Sequence, residues 1–214
     1  MKLFYIFIFV NIFWNTSCQV KQCPVVLDLV MILDSSGSIK PVEFDQIKKS
    51  LIRIFDSLDV KDQELYAALI NFSDKLTVSQ FYVPNDEYKF LLQNKIASMP
   101  YFGRSTSLES ALKHARTQLF ATDKGALTPK VVILFTDGIP NENLDQIRFE
   151  TDQLKSDNVH LFVIGYGENL HHEALDVIAS EPLDIYKLNV NEIKFLKEKI
   201  NDITISTCSS QVFH

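Results

Sequence analysis

The chain alternates between two hydrophobic patterns. Short, nearly unbroken apolar runs recur at Val25 to Leu33 (interrupted by Asp28), in "ELYAALINF" from Glu64 to Phe72, in "KVVILFTDG" over Val131 to Phe135, and in "VHLFVIGYG". Runs of this kind suit strands buried on both faces of a parallel sheet. Between them lie segments whose apolar residues step by three and four, the spacing of one helix face. In "PVEFDQIKKSLIRIFDSL" these are Phe44, Ile47, Leu51, Ile54 and Leu58, with Pro41 where a first helical turn tolerates it. In "SLESALKHARTQLF" they are Leu108, Ala111, Leu112, Ala115 and Leu119, and in "ENLDQIRFETDQLK" they are Leu144, Ile147, Thr151 and Leu154. Short helices are expected in "NDEYKFLLQNKIASM" and near "HHEALDVIAS", and a last helix in "NEIKFLKEKINDIT" with Ile193, Leu196, Ile200 and Ile203 inward.

Two segments depart from this scheme. "KLTVSQFYV" alternates as an edge strand does, and the turn "SD" alone separates it from the preceding run, so the two strands should form an antiparallel hairpin. "LDIYKL" predicts a weak strand. The whole pattern predicts an α/β fold: a doubly wound, mostly parallel six-stranded sheet with one antiparallel edge strand and helices on both faces, Rossmann-like in plan. No repeat, linker or low-complexity segment interrupts it, so residues 23–208 should form one domain with a short tail at 209–214.

The N-terminus has a different character. In "MKLFYIFIFVNIFWNTSCQV", Lys2 precedes an apolar run from Leu3 to Trp14, broken only by Asn11, which is shorter than the roughly 20 residues a membrane-spanning helix needs. Thr16 and Cys18 are small residues at the −3 and −1 positions of a cut after Cys18. Residues 1–18 are therefore expected to be a secretory signal peptide, against the alternatives of a core strand or a membrane anchor. The C-terminal "STCSSQVFH" lacks the hydrophobic tail of an anchor signal. A secreted, extracellular protein follows as the expectation.

That compartment bears on the three cysteines. Cleavage after Cys18 leaves Cys23 before the first strand and Cys208 after the last helix. An oxidising environment favours a disulfide between them over two free thiols. So wide a loop would stabilise the fold by about 4–5 kcal/mol in the chain-entropy account. Composition adds an exclusion. The net charge is −6 with no basic block, which disfavours nucleic acid as a partner.

Candidate chemistry gathers at predicted strand ends, where ligands bind in folds of this kind. Asp34 follows the first strand and opens "DSSGS"; Asp137 follows "VVILF" and sits in "TDG". Ser105, Thr106 and Ser107 open a helix in a third loop. Alternation in Asp-x-Ser-x-Ser lets Asp34, Ser36 and Ser38 face one way, with Ser35 and Gly37 facing away. Gly37 is expected to give the backbone freedom to curl around an ion. Carboxylates, hydroxyls and water are hard donors, suited to Mg²⁺, with Mn²⁺ or Ca²⁺ also possible, rather than to zinc or copper. Each piece alone is also explained as a turn or helix cap; their arrival in order at the same sheet edge is not.

"DLVMILDSSGSI", "GRSTSLESAL" and "VVILFTDG" together resemble a von Willebrand factor type A domain, over about the whole span from Cys23 to Cys208. The resemblance implies a metal-ion-dependent adhesion site at Asp34, Ser36, Ser38, Thr106 and Asp137, and a terminal disulfide. It also implies Mg²⁺-dependent binding of an extracellular matrix or cell-surface protein, collagen-like or a receptor, that donates an acidic residue to the metal. In the third loop, the helix stripe through Ala111 and Leu112 selects Thr106, whereas counting from Gly103 and Arg104 selects Ser105; the stripe is preferred. Arg104 replaces the family's more usual small residue. Movement of the last helix, coupled to the metal in integrin-type members, would involve Ile193, Ile200 and Ile203, which core packing explains equally.

Other motifs carry less. Asn71-Phe72-Ser73 has the form of an N-glycosylation site, but at the end of a buried strand, which argues against its use. His171 and His172 are adjacent and point apart on a helix, as on a solvated face. No nucleophile elbow or Walker loop is present. A non-enzymatic adhesion or matrix-binding module is the leading expectation. A secreted decoy or regulator that occupies a host or cell-surface receptor is the alternative. A Mg²⁺-dependent hydrolase ranks lower, because a phosphatase of the two-aspartate kind would need a second Asp where Ser36 stands.

Overall fold

The computed structural model describes residues 27–57, 65–85, 88–121, 128–138, 143–166 and 170–189, with Glu198 and Asp202. Residues 1–18, expected to be a signal peptide, together with Cys23, Cys208, the expected tail at 209–214 and nearly all of the last predicted helix, lie outside the described residues.

Four parallel strands form the middle of the sheet: β1 (Leu27–Asp34), β2 (Leu65–Phe72), β4 (Lys130–Thr136) and β5 (Val159–Gly165). β3 (Leu76–Val83) closes one edge antiparallel to β2, and the short β6 (Lys187–Asn189) closes the other parallel to β5. The order is β3-β2-β1-β4-β5-β6, and the mostly parallel six-stranded sheet with one antiparallel edge strand is the one the pattern predicts. Every residue of β1 is buried, Asp28 and Asp34 included, so both faces of the sheet are covered there. β3 alternates in exposure, as an edge strand should.

The helices form two groups. α1 (Pro41–Ser57) packs on α2 (Lys89–Ala97). α3 (Leu108–His114) packs on α4 (Leu144–Ser156), and α4 on α5 (His172–Ile178). The predicted stripes point inward: Phe44, Ile47, Leu51 and Ile54 of α1, and Leu108, Ala111 and Leu112 of α3, are buried. Among the described residues no helix is long and apolar enough to cross a membrane.

Three local departures have physical causes. The helix after the third loop does not stay α-helical; Ala115–Leu119 winds as a π-turn, and the amide of Phe120 donates to the carbonyl of Ala115 at 3.0 Å. On α4 the inward face includes Glu150 beside Ile147, Thr151 and Leu154, while Leu144 is only partly covered. Glu150 tolerates this position because Arg116 of the π-turn donates to it at 2.8 Å. The expected strand "LDIYKL" is a helical turn, α6 (Leu183–Tyr186), before it is a strand. The Pro182 carbonyl accepts from the amides of Ile185 and Tyr186 and closes that turn, so sheet pairing starts only at Lys187.

Candidate metal centre

β1 brings Asp34 to the carboxyl edge of the sheet, where it is fully buried. Ser35 turns the other way. Its amide and its hydroxyl each lie 2.9 Å from the Phe72 carbonyl and donate to it, which ties the loop to the end of β2. The amide of Ser36 then donates to Asp34 Oδ1 at 2.8 Å, an Asx-type turn. The Oγ atoms of Ser36 and Ser38 stand 3.1 Å apart. The alternation expected of "DSSGS" is therefore present. At the exit, the amide of Lys40 donates to Glu43 Oε2 at 2.8 Å, and this half of a capping box starts α1.

The third loop is fastened to this one along its backbone. Ser36 and Arg104 are bridge partners; the Gly37 amide donates to the Arg104 carbonyl at 2.7 Å and the Gly103 amide to the Ser35 carbonyl at 2.8 Å. The expectation for Gly37 needs correction. Its φ is not in the left-handed region, so conformational freedom is not its role. A Cβ there would stand 3.3 Å from the Gly103 carbonyl oxygen, a tight contact with backbone, so close approach of the two loops is what favours glycine. The left-handed residue is Gly103, at φ +63°.

Side chains that sequence reasoning missed lock the same loop. The Tyr101 hydroxyl donates to the Ile39 carbonyl at 2.7 Å. Ser73, buried in the β2–β3 turn, donates from its hydroxyl to the Ser105 carbonyl at 2.9 Å and accepts from the Arg104 amide at 3.1 Å. Asn71 is buried too, and its Nδ2 donates to the Pro100 carbonyl at 2.7 Å. The Asn71-Phe72-Ser73 sequence thus serves as a buttress. The nitrogen that a glycan would need is engaged inside the fold, consistent with the buried-strand position that argued against its use.

β4 supplies the remaining side. Thr136, the residue before Asp137, donates from Oγ1 to Asp34 Oδ2 at 2.8 Å and accepts from the Gly138 amide at 3.1 Å. Thr136 is another missed residue; a hydroxyl at the end of an apolar strand was its only signal. Asp137 is buried, its carbonyl accepting from the His171 amide at 3.0 Å. His171 and His172 are both exposed, and His171 Nδ1 caps α5 by accepting from Ala174.

Among the five predicted ligands, Asp34, Ser36 and Ser38 are joined by the contacts above. Asp137 lies near enough to Asp34 for its charge to act on it. Thr106 is buried, two residues beyond the bridge partner of Ser36, while Ser105 is exposed and contributes its carbonyl to the Ser73 bond. The electrostatics are unfavourable without a cation. Burial pushes the Asp34 carboxyl from 3.8 up to about 6; hydrogen bonds from Ser36 and Thr136 oppose this, and the charge of Asp137 adds to it. A divalent ion would offset both carboxylates. Among the described residues no group of three or more His, Cys, Asp or Glu could hold a metal, so the donors that fit here are two carboxylates and hydroxyls, all hard oxygens.

A six-stranded α/β sheet with this loop constellation defines the class of protein. The sequence model described as von Willebrand factor type A domain matches residues 28–202, and the chain belongs to that family. The collagen alpha-4(VI) chain of Mus musculus is 29% identical over 187 residues, covering 86% of this chain and 8% of the relative. Matrilin-1 of Mus musculus is 31% identical over 183 residues, covering 82% of this chain and 36% of the relative. The chain thus spans a minor part of either relative's length. The manganese-loaded Plasmodium vivax TRAP protein has the same fold, at a TM-score of 0.67 and 24% identity over 85% of this chain and 74% of that one.

Proposed function

We propose that the protein is an extracellular adhesion module that binds a matrix or cell-surface protein through a divalent cation held by Asp34, Ser36, Ser38, Thr106 and Asp137. One observation carries the proposal. A buried carboxylate, Asp34, is fixed by Ser36 and Thr136 beside a second acid, with two serine hydroxyls 3.1 Å apart at its rim. That is a costly arrangement for a turn and a fitting one for a hard cation. Similarity to a collagen chain and to a matrilin supports the matrix setting, and the manganese-loaded relative supports a divalent ion. Mg²⁺ is the proposed occupant, with Mn²⁺ or Ca²⁺ as substitutes.

When bound, the ion would supply an electrophilic position that accepts a carboxylate from the partner. The chain's own part is positional. Ser35 and the Gly37 and Gly103 amides fix the loop backbones, Thr136 orients Asp34, and the Ser36 and Ser38 hydroxyls stand toward the rim. Nothing in this requires a bond to break. The test is retention of the purified full chain on immobilised matrix proteins in Mg²⁺, in chelator, and after Asp34→Ala. Binding is expected only for the unaltered chain in Mg²⁺. Equal binding in all three refutes the metal mechanism.

A further inference from the structure

The third loop carries a cation whose backbone is rigid and whose side chain is open. Arg104 is held on one side by the Gly37 amide and on the other by the Ser73 hydroxyl. As the bridge partner of Ser36 it starts about 5 Å, Cα to Cα, from a proposed metal ligand. Its side chain is nevertheless 69% exposed. Among the described residues its side-chain partner is Asp74 at 3.3 Å, itself at the surface, and such pairs exchange readily with solvent or with another acid. Lys75, next to Asp74 in the chain, sits over the Phe102 ring at 4.7 Å, which puts a second cation by this loop on a chain whose net charge is −6. A guanidinium offers a planar fork of donors that matches a carboxylate.

We infer that Arg104 is a specificity-determining residue that selects an extended acidic segment carrying two carboxylates in Glu-x-Glu spacing. One would reach the metal and the other the guanidinium. This rests on the metal-binding reading above. In an extended strand, residues i and i+2 face one side about 7 Å apart, a spacing that the Arg104 side chain spans from its position beside Ser36. Two cations are too few for a sulfated polysaccharide, which needs a longer basic stripe.

The experiment uses the full chain and two labelled peptides that differ only in Glu-Gly-Glu against Glu-Gly-Gln, read by fluorescence anisotropy in Mg²⁺ and in chelator. The two-carboxylate peptide should bind about three- to fivefold more tightly. That gap should vanish in Arg104→Gln, persist in part in Arg104→Lys, and widen in Asp74→Asn, which frees the guanidinium. Thermal stabilisation by Mg²⁺ should be the same in Arg104→Gln as in the unaltered chain, because only the backbone of Arg104 supports the metal loop. No gap in the unaltered chain, or an equal gap in Arg104→Gln, overturns the inference. Arg104-dependent competition by a sulfated oligosaccharide, with no discrimination between peptides, overturns it in favour of a glycan. An Arg104-dependent gap that persists undiminished in chelator and in Asp34→Asn upholds Arg104 and refutes the metal reading instead.

Discussion

Replacing Asp34 by Asn should make the metal-free protein more stable near neutral pH, although it alters a buried, fully hydrogen-bonded residue. The Asp34 carboxyl titrates at about 6 in the fold against 3.8 when unperturbed. A raised acid pKa means that the folded state prefers the protonated form. The associated stability is complete below about pH 3.8, declines as pH rises, and is lost above about pH 6. The shift corresponds to roughly 3 kcal/mol of destabilisation at neutral pH. Asn carries no charge and keeps its Oδ1 as acceptor for the Ser36 amide. Its Nδ2 would face Thr136 Oγ1, which already accepts from Gly138, so the Thr136 proton loses its acceptor at a cost of about 1 kcal/mol. The net gain is then roughly 2 kcal/mol, or about 4–8 °C in Tm for a domain of this size.

Thermal melts of both proteins in chelator, from acid to neutral pH, measure this directly. The difference between the two curves isolates Asp34 from every other titrating group. It should favour the unaltered chain in acid and Asp34→Asn at neutral pH, and added Mg²⁺ should raise only the unaltered chain, by mass action on its folded state. A difference that does not vary with pH, or a variant less stable than the unaltered chain in chelator at neutral pH, refutes the reasoning about buried charge.

Three other substitutions test the scaffold. Gly103→Ala puts a Cβ at φ +63° and 2.8 Å from the Tyr101 ring, which its hydroxyl bond to Ile39 restrains; a loss of about 2 kcal/mol is expected in chemical denaturation, with weakened Mg²⁺ stabilisation. Ser73→Ala leaves the Arg104 amide and the Ser105 carbonyl without their buried partner and should cost about 1–3 kcal/mol by the same measurement. In the ion pair between the π-turn and α4 the two partners are unequally covered. Arg116→Met strands the buried Glu150 carboxylate and should cost about 3 kcal/mol or more, while Glu150→Gln leaves an arginine that can reach water and should cost clearly less.

The sheet was legible because its interior strands are apolar on both faces, and the β2–β3 hairpin because so short a turn leaves no room for a crossover. The proposed ligands were legible for a related reason: most lie at or just after strand ends, and Thr106 opens a helix at the same sheet edge. Residues that act across the fold were not. Thr136 meets Asp34 over a separation of 102 residues, and nothing around "FTDG" tells that its hydroxyl points at an acid rather than at solvent. Ser73 and Asn71 looked like a turn and a glycosylation sequence because their work depends on where Pro100 and Ser105 come to lie. Gly37 and Gly103 are one residue type in two roles, and only φ and the distance between loops separate them. Glu150 sits three residues beyond Ile147, a stripe position, and its charge hid that until Arg116 was placed.

The two kinds of contact at the sheet edge divide the work of the site. Backbone bonds between residues 35–37 and 103–104, with Tyr101, Ser73 and Asn71 behind them, fix where the loops stand without reference to any ion. The Asp34 carboxylate is held by the same scaffold in a state that its burial opposes. Orientation is therefore settled in advance, and the unfavourable term left in the folded protein is electrostatic, of the sign that a cation relieves. It follows that metal affinity and metal-free stability should move in opposite directions when charge is changed at Asp34, and together when the scaffold is loosened at Gly103 or Ser73. A site in which both moved together for all three positions would be held by packing alone, with no electrostatic term reserved for an ion.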